Sequence, residues 1–246
     1  MATHGGKEAR PWSLLLTGTT GRSLLLGRFT GLTVVLILLF VLAAVTEQSR
    51  VHVLVIDLAM SLLLGFAIFT VGRPLRLVAW LLAIPTFVGQ WLLGLNVSLI
   101  PQEVVLAFTL VFLCFVAVVV LGAVLADEAV TTDTIVGAVC VYFLLGIIFG
   151  CAYAWIAVAD PNAFSMAATL RSATGADLLF SPLPPLLQYY SFTTLSTLGF
   201  GDITPVSPVA RSLSVIEGFS GQLYLAVLIA RLVGRHATTG DRHPSR

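Results

Sequence analysis

Charge is scarce in this chain. Of its 246 residues only 10% are Asp, Glu, Lys or Arg, while 58% are hydrophobic. A soluble domain carries about 25% charged residues, so this chain lacks the charge to cover a water-exposed surface, and the lipid bilayer is its expected solvent. A formal net charge of +1 says nothing about nucleic acid, but with no basic patch beyond the termini no nucleic-acid partner is expected. Cysteine is nearly absent too. Cys114, Cys140 and Cys151 all fall in apolar runs, their number is odd and their spacing fits no metal site, so they read as small apolar side chains. His4, His52, His236 and His243 are scattered near ends and interfaces. No catalytic constellation is visible, and no enzymatic activity is expected.

Long apolar runs are what the chain has in abundance. A membrane-crossing helix takes ~20 mostly apolar residues, and residues 29–45, 51–71, 75–95, 103–126, 134–159 and 209–233 qualify. Pro74 suits the first turn of the third helix, and Pro85 inside it is expected to kink it. The first run follows a long leader and precedes no crisp small-residue cleavage site, so it reads as a retained helix rather than a signal peptide. The leader places Trp12 and its leucines at the membrane interface, and its "GTTGRS" lacks the lysine and spacing of a phosphate loop. With the N-terminus in the cytoplasm, ten of the thirteen Lys and Arg residues lie inside, and only Arg50, Arg171 and Arg211 lie outside. Both termini are therefore expected in the cytoplasm of a multi-pass protein of the cell (plasma or inner) membrane.

The same orientation puts "TTLSTLGFGDITP", residues 193–205, in the extracellular half. Non-helical backbone at that depth is tolerated only where protein or a water-filled cavity surrounds it. The preceding "LPPLLQYYSFTTLS" has prolines suited to a helix start and then no breaker, which predicts a half-length helix. Gly199 and Gly201 admit backbone conformations closed to other residues. Two glycines separated by one residue allow successive carbonyls to point the same way. A ring of such segments makes a stack of oxygens that can replace an ion's water shell.

This stretch resembles the potassium-channel signature, usually written T-V-G-Y-G-D. The similarity runs from about Leu187 to Val233, through "TPVSPVAR" and "GQLYLAVLIARLVG", and the whole chain is similar to small bacterial six-helix ion channels. Ion selection by rings of backbone carbonyls is a known property of that family. The resemblance implies an all-α membrane protein of six transmembrane helices, with a re-entrant pore helix and selectivity-filter loop between helices 5 and 6. It implies a homotetramer, since one chain supplies one filter strand and no second G-x-G pore motif is present. K⁺ would bind at the Thr197 hydroxyl and carbonyl and at the carbonyls of Leu198, Gly199 and Phe200. Gly201 would permit the outer turn, and Asp202 would cap the extracellular mouth. Leu198 replaces the usual valine, and Phe200 replaces a tyrosine whose hydroxyl can tie the filter to an aromatic cuff.

Tyr189 and Tyr190 take the place of the cuff's tryptophan pair in many bacterial channels, and the Tyr189 hydroxyl can donate to Asp202. Thr193 stands where some bacterial channels have a buried glutamate paired with the filter aspartate, and Thr194 joins it in supporting the filter. Arg211 matches a basic residue near the outer end of the inner helix, there to pair with a neighbouring subunit's acid or to anchor at the interface. Gly221 occupies the inner-helix glycine position. It either lets the helix bend to open a cytoplasmic gate or packs closely as small residues do in membrane interfaces. Glu217, an ionisable residue at membrane depth, is expected to be functional. It faces the ion cavity or, as the preferred reading, hydrogen-bonds behind the pore helix to Thr193 or Thr194.

Four regions follow: a cytoplasmic or interfacial segment over 1–28, and a four-helix bundle over 29–126 resembling a voltage sensor without gating charges. A pore domain over 133–233 and a short cytoplasmic tail over 234–246 complete them. The fourth run has no basic residue, and each charge moved through the field is worth ~2.3 kcal/mol per 100 mV. Strong voltage gating by that helix is excluded. Asp57 is left to find Arg76 or a polar neighbour, or to sense protons. The link after residue 126 is too short for a linker helix, and "TTDT" offers a cap to the fifth helix, so each bundle is expected beside its own pore helices. The tail leaves no room for an appended ligand-binding domain. The expected function is passive K⁺ conduction, with K⁺ in the filter and no other cofactor. The alternatives are a weakly selective cation channel, a K⁺ transporter (whose internal repeats are missing) and a non-conducting channel subunit.

Overall fold

A computed structural model describes residues 29–45, 51–71, 75–95, 100–126, 131–166 and 185–240. The leader over 1–28, Arg50, Pro74, Arg171 and the Asp57 side chain lie outside the described residues. The helices are α1 (Thr30–Val45), α2 (Val51–Thr70), α3 (Arg76–Gly94), α4 (Gln102–Ala126), α5 (Thr132–Ala159), α6 (Pro185–Leu195) and α7 (Pro208–Gly240). Strands β1 (Phe164–Met166) and β2 (Ile203–Pro205) pair antiparallel, with Ser165 opposite Thr204. Among the described residues, the stretches Arg76–Leu93, Gln102–Ala126, Thr132–Ala159 and Pro208–Arg231 are long and apolar enough to cross a membrane. This is a mostly helical, multi-pass membrane protein.

Sequence such as "VFLCFVAVVVLG" in α4 is rich in β-branched residues with a mild preference against helix. Lipid overrides that preference, because only a helix bonds every backbone group within its own segment. The ends are fastened by side chains. Thr131 caps α5, its hydroxyl accepting from the Thr134 N–H at 3.2 Å. Asp133 in the first turn of α5 also accepts the Phe29 N–H at 3.2 Å, so one carboxylate serves the starts of two helices. Ser207 caps α7 by accepting from the Ala210 N–H at 3.1 Å. At the far end of α7, the Arg231 guanidinium donates to the Val124 and Leu125 carbonyls, each at 2.7 Å. A cation there meets both the unbonded carbonyls and the negative end of the α4 dipole.

Helices α1 to α4 pack in chain order, and α1 and α4 both close on α5 of the same chain. Phe29, Leu32, Leu36, Leu63, Leu113 and Leu144 are fully buried in this core. A second core, built from Tyr153, Phe164, Leu187, Tyr190, Ile203 and Ala210, joins α5, α6, α7 and the strand pair. The mostly helical structure is consistent with the all-α expectation, and the two strands were too short for periodicity to announce them. Asp160 makes the turn that starts β1 by accepting from the Asn162 N–H at 3.0 Å. α7 also runs past 233 to Gly240, so the helix continues into the stretch expected as a tail over 234–246. Arg235 and Ala237 are strong helix formers, and Gly234 alone does not stop them. α3 likewise continues through Pro85.

Gly137 marks the tightest seam of the bundle, since a Cβ there would lie 2.7 Å from Val124 and 2.8 Å from Phe29. Gly137→Leu is expected to cost about 1–3 kcal/mol by overpacking, seen as earlier thermal unfolding in detergent. Gly65→Ala, with open space at its Cβ, should not lower the unfolding temperature. Equal behaviour of the two variants would mean that α1 and α4 do not press on α5 as described.

Candidate functional site

α6 opens with Pro185, whose ring suits a first helical turn, and runs for 11 residues. At 1.5 Å per residue it is ~16 Å long, about half of the ~30 Å apolar thickness of a bilayer. It lies between α5 and α7. The groove that admits it is cut by Gly146 and Gly150, one turn apart on α5. A Cβ at 146 would meet the Phe192 ring at 2.7 Å, and one at 150 would meet the Gln188 amide at 2.5 Å. Gln188 and Ser191 reach into the groove and donate to the Gly146 carbonyl at 2.9 and 2.7 Å. "GIIFG" is a small-xxx-small motif of the kind that lets membrane helices approach. That signal was available in the sequence and went unread.

The last carbonyls of α6 have no following turn to bond them. The segment after the helix supplies the missing donors. Phe192 O accepts from the Ser196 N–H at 3.0 Å, Thr194 O from the Thr197 N–H at 3.0 Å, and Thr193 O from the Gly199 N–H at 3.2 Å. Leu195 O accepts from the Tyr142 hydroxyl of α5 at 3.3 Å.

Along this segment φ is +60° at Thr197, +52° at Gly199 and +78° at Gly201, and negative at Leu198 and Phe200. Alternation between right- and left-handed residues turns successive N–H groups to one side of a ribbon and carbonyls to the other. Here the N–H groups of 197 and 199 face α6. Glycine takes left-handed φ without penalty, whereas a β-branched threonine does so at a cost of order 1–3 kcal/mol. The spacing of the glycines foretold two of the three left-handed positions, and Thr197 was missed. Its hydroxyl donates to the Ser196 carbonyl at 2.7 Å.

Residues 197–201 are all exposed on the single chain, with Leu198 at 63% and Phe200 at 65%. Asp202 follows, accepting from the Tyr189 hydroxyl at 2.8 Å and from the Ile203 N–H at 3.0 Å. The Tyr189 and Phe200 rings lie parallel within 2°, their centroids 6.3 Å apart. β2 then descends along β1, and the Val206 and Ser207 N–H groups donate to Ala163 O at 2.7 and 3.2 Å. The ribbon is thereby held at both ends, by α6 before it and by the strand pair after it.

The two tyrosines expected to act together part company. Tyr189 meets the ribbon, while Tyr190 turns inward and shares a 2.6 Å hydrogen bond with Ser214 of α7, beside Tyr153 and Phe164. Thr193 and Thr194 each donate to Tyr190 O at 2.9 Å, the back-bonding common to helix threonines. Glu217 is 0% exposed and lies behind α6. Its partners differ from those expected. The Tyr153 hydroxyl donates to its Oε2 at 2.6 Å, and the Ser191 hydroxyl pairs with its Oε1. The threonine hydroxyls are occupied by their own helix, and Ser191, nearer the start of α6, takes the contact. Tyr153, Ser191 and Ser214 were not singled out from the sequence, although hydroxyls in apolar spans were the cue.

Arg211 is exposed and donates to Pro205 O at 3.2 Å. Gly221 is buried where α7 crosses the end of α6, and a Cβ there would run into the Leu195 carbonyl oxygen. α7 passes through Gly221 without a break. On its outer face Val215, Ile216, Phe219, Leu223 and Val227 stand exposed.

Residues 187–235, from α6 through the ribbon into α7, match the protein-family model described as "Ion channel". No curated protein and no solved structure matches the chain.

The two glycines of α7 make a matched test of the crossing. Gly221→Ala should cost about 1–3 kcal/mol, because the obstacle is backbone and cannot rotate away. Gly218→Ala, whose Cβ would sit 3.7 Å from Thr194 O, should cost nothing or gain up to ~1 kcal/mol of helix propensity. Thermal unfolding in detergent reads both, and a Gly221→Ala protein as stable as Gly218→Ala would refute the close crossing.

Proposed function

We propose that this protein conducts K⁺ selectively and passively across the cell membrane, a reading supported by the match of residues 187–235 to the "Ion channel" family model. In this reading α1 to α5 and α7 are the six membrane spans, α6 is the pore helix, and 197–201 is the selectivity filter. The observation that carries it is the alternation of φ at Thr197, Gly199 and Gly201. A ribbon with its carbonyls on one side offers an ion the oxygens it leaves behind in water. Thr197 adds a hydroxyl at the inner end, and Asp202 stands at the outer mouth. The C-terminal end of α6, where the ribbon begins, carries the negative end of that helix dipole, which favours a cation.

One ribbon cannot encircle an ion. Its exposed carbonyl side, together with the bare apolar face of α7, calls for copies of the same chain around a four-fold axis. A homotetramer in the lipid bilayer buries Phe200, Val215 and Phe219 and closes the ring. Neighbouring K⁺ ions then repel one another through the sites, so conduction needs no cofactor and no covalent step. α4 has no basic residue, so the bundle does not drive opening by moving charge through the field. A weakly selective cation pore is the second reading. Phe200 has no hydroxyl to tie the ribbon to α6, so at its outer end only the Tyr189–Asp202 bond and the strand pair are left to hold it.

Recording from the purified protein in bilayers with opposed K⁺ and Na⁺ gradients should give a reversal potential that follows K⁺. A reversal potential indifferent to the K⁺ gradient would overturn the proposal. Gly199→Ala should abolish the current, since a Cβ does not suit φ of +52°. Tyr189→Phe should keep the current but reduce discrimination against Na⁺, read as a reversal potential shifted toward that of Na⁺.

A further inference from the structure

We infer that Glu217 works in its neutral form, as the proton donor that completes the hydrogen-bonded chain from Tyr153 through Ser191 to the Gly146 carbonyl and positions α6 behind the ribbon. The argument is a count of protons. Tyr153 Oη meets Glu217 Oε2 at 2.6 Å, Ser191 Oγ meets Gly146 O at 2.7 Å, Ser214 Oγ meets Ala210 O at 2.7 Å, and Tyr190 Oη meets Ser214 Oγ at 2.6 Å. Ser191 Oγ also meets Glu217 Oε1. Oxygens this close are hydrogen-bonded, and each bond takes one proton. The carbonyls of Gly146 and Ala210 have none to give, so the Ser191 and Ser214 protons point at them. Tyr190 then donates to Ser214, and Tyr153 donates to Glu217 Oε2.

All the hydroxyl protons are now assigned, and the Ser191–Glu217 contact still needs one. The carboxyl itself supplies it, donating from Oε1 to Ser191 Oγ. An ionised Glu217 would leave one of the two contacts of Ser191 as bare oxygen against oxygen. The charged and titratable surroundings agree. The groups that face the carboxyl are Tyr153 and Tyr142 of α5 and Tyr190 of α6. The described guanidinium on the outer part of α7, Arg211, reaches Pro205 O instead. A buried carboxylate with no cation against it is costly, whereas the neutral acid fits as both donor and acceptor. Through Ser191 it ties α7 to the helix that carries the ribbon, and through Tyr153 it ties both to α5.

The consequence for conduction rests on the channel reading, but the proton does not. Infrared spectra of the purified protein in lipid vesicles at neutral pH should show a protonated carboxylic-acid C=O band that disappears in Glu217→Gln. Ser191→Ala should shift that band by removing the acceptor. Glu217→Gln should retain wild-type K⁺ flux and thermal stability, because its amide donates to Ser191 and accepts from Tyr153. Glu217→Ala should lose both. A carboxylate band in place of the acid band would overturn the proposal, as would Glu217→Gln failing like Glu217→Ala. If the wild type itself carries no K⁺, the channel reading falls, and the infrared spectra and thermal stability of Glu217→Gln still decide the proton.

Discussion

A helix of 11 residues that ends at the buried Leu195 leaves its last carbonyls without a next turn to bond them. In this protein the carbonyls of Phe192, Thr193 and Thr194 accept from backbone N–H groups of the segment that follows, and Leu195 O accepts from Tyr142. That arrangement ends the helix and directs the ribbon at once. N–H groups drawn back to α6 leave the carbonyls of an alternating ribbon on the opposite side. The left-handed φ at Thr197 is an expense accepted for this geometry, and the bonds at Thr197 N–H and Oγ hold the residue there.

The rest of the fold serves to keep α6 in place. Gly146 and Gly150 of α5 cut the groove that receives it, and Gly221 of α7 lets the inner helix cross its end. Between these close approaches, Gln188, Ser191, Tyr153 and Glu217 fill the seam with polar bonds. Apolar packing in a membrane is weakly directional, because lipid tails are as apolar as leucine. Close backbone approach and buried hydrogen bonds are what choose one placement over another. The bundle of α1 to α4 joins this unit along α5 and, at the far end, through Arg231 of α7 at the end of α4.

The helices were legible because a span must be long and apolar, and such runs stand out against a chain with so little charge. The Thr131 cap of α5, the half-length helix and the link from Tyr189 to Asp202 were legible for local reasons: each depends on residues close in sequence or on a glycine pattern with few other uses. The partners of Glu217 were not. Thr193 and Ser191 share a short helix, and only the docked helices show that Ser191 is the one whose oxygen lies against the acid, while Thr193 bonds back to Tyr190 O. The strand pair was hidden for another reason. β1 and β2 are short, and their pairing joins segments on either side of α6 that no local pattern connects.

By itself, then, the sequence determined the apolar surroundings and the helices, and its glycine spacing marked Gly199 and Gly201 as left-handed positions, because composition and glycine limit what a backbone in lipid can do. It also showed that α4 has no basic residue with which to sense voltage. Only the tertiary structure decided where the polar side chains of the spans end up. Tyr190 turned inward rather than to the ribbon, Glu217 went behind α6, and Gly221 filled a crossing in an unbroken helix. A hydroxyl, a carboxyl or a glycine in an apolar helix has several faces it can serve. Which one it serves depends on the rotation and depth at which neighbouring helices dock, and that is set by contacts between residues far apart in the chain.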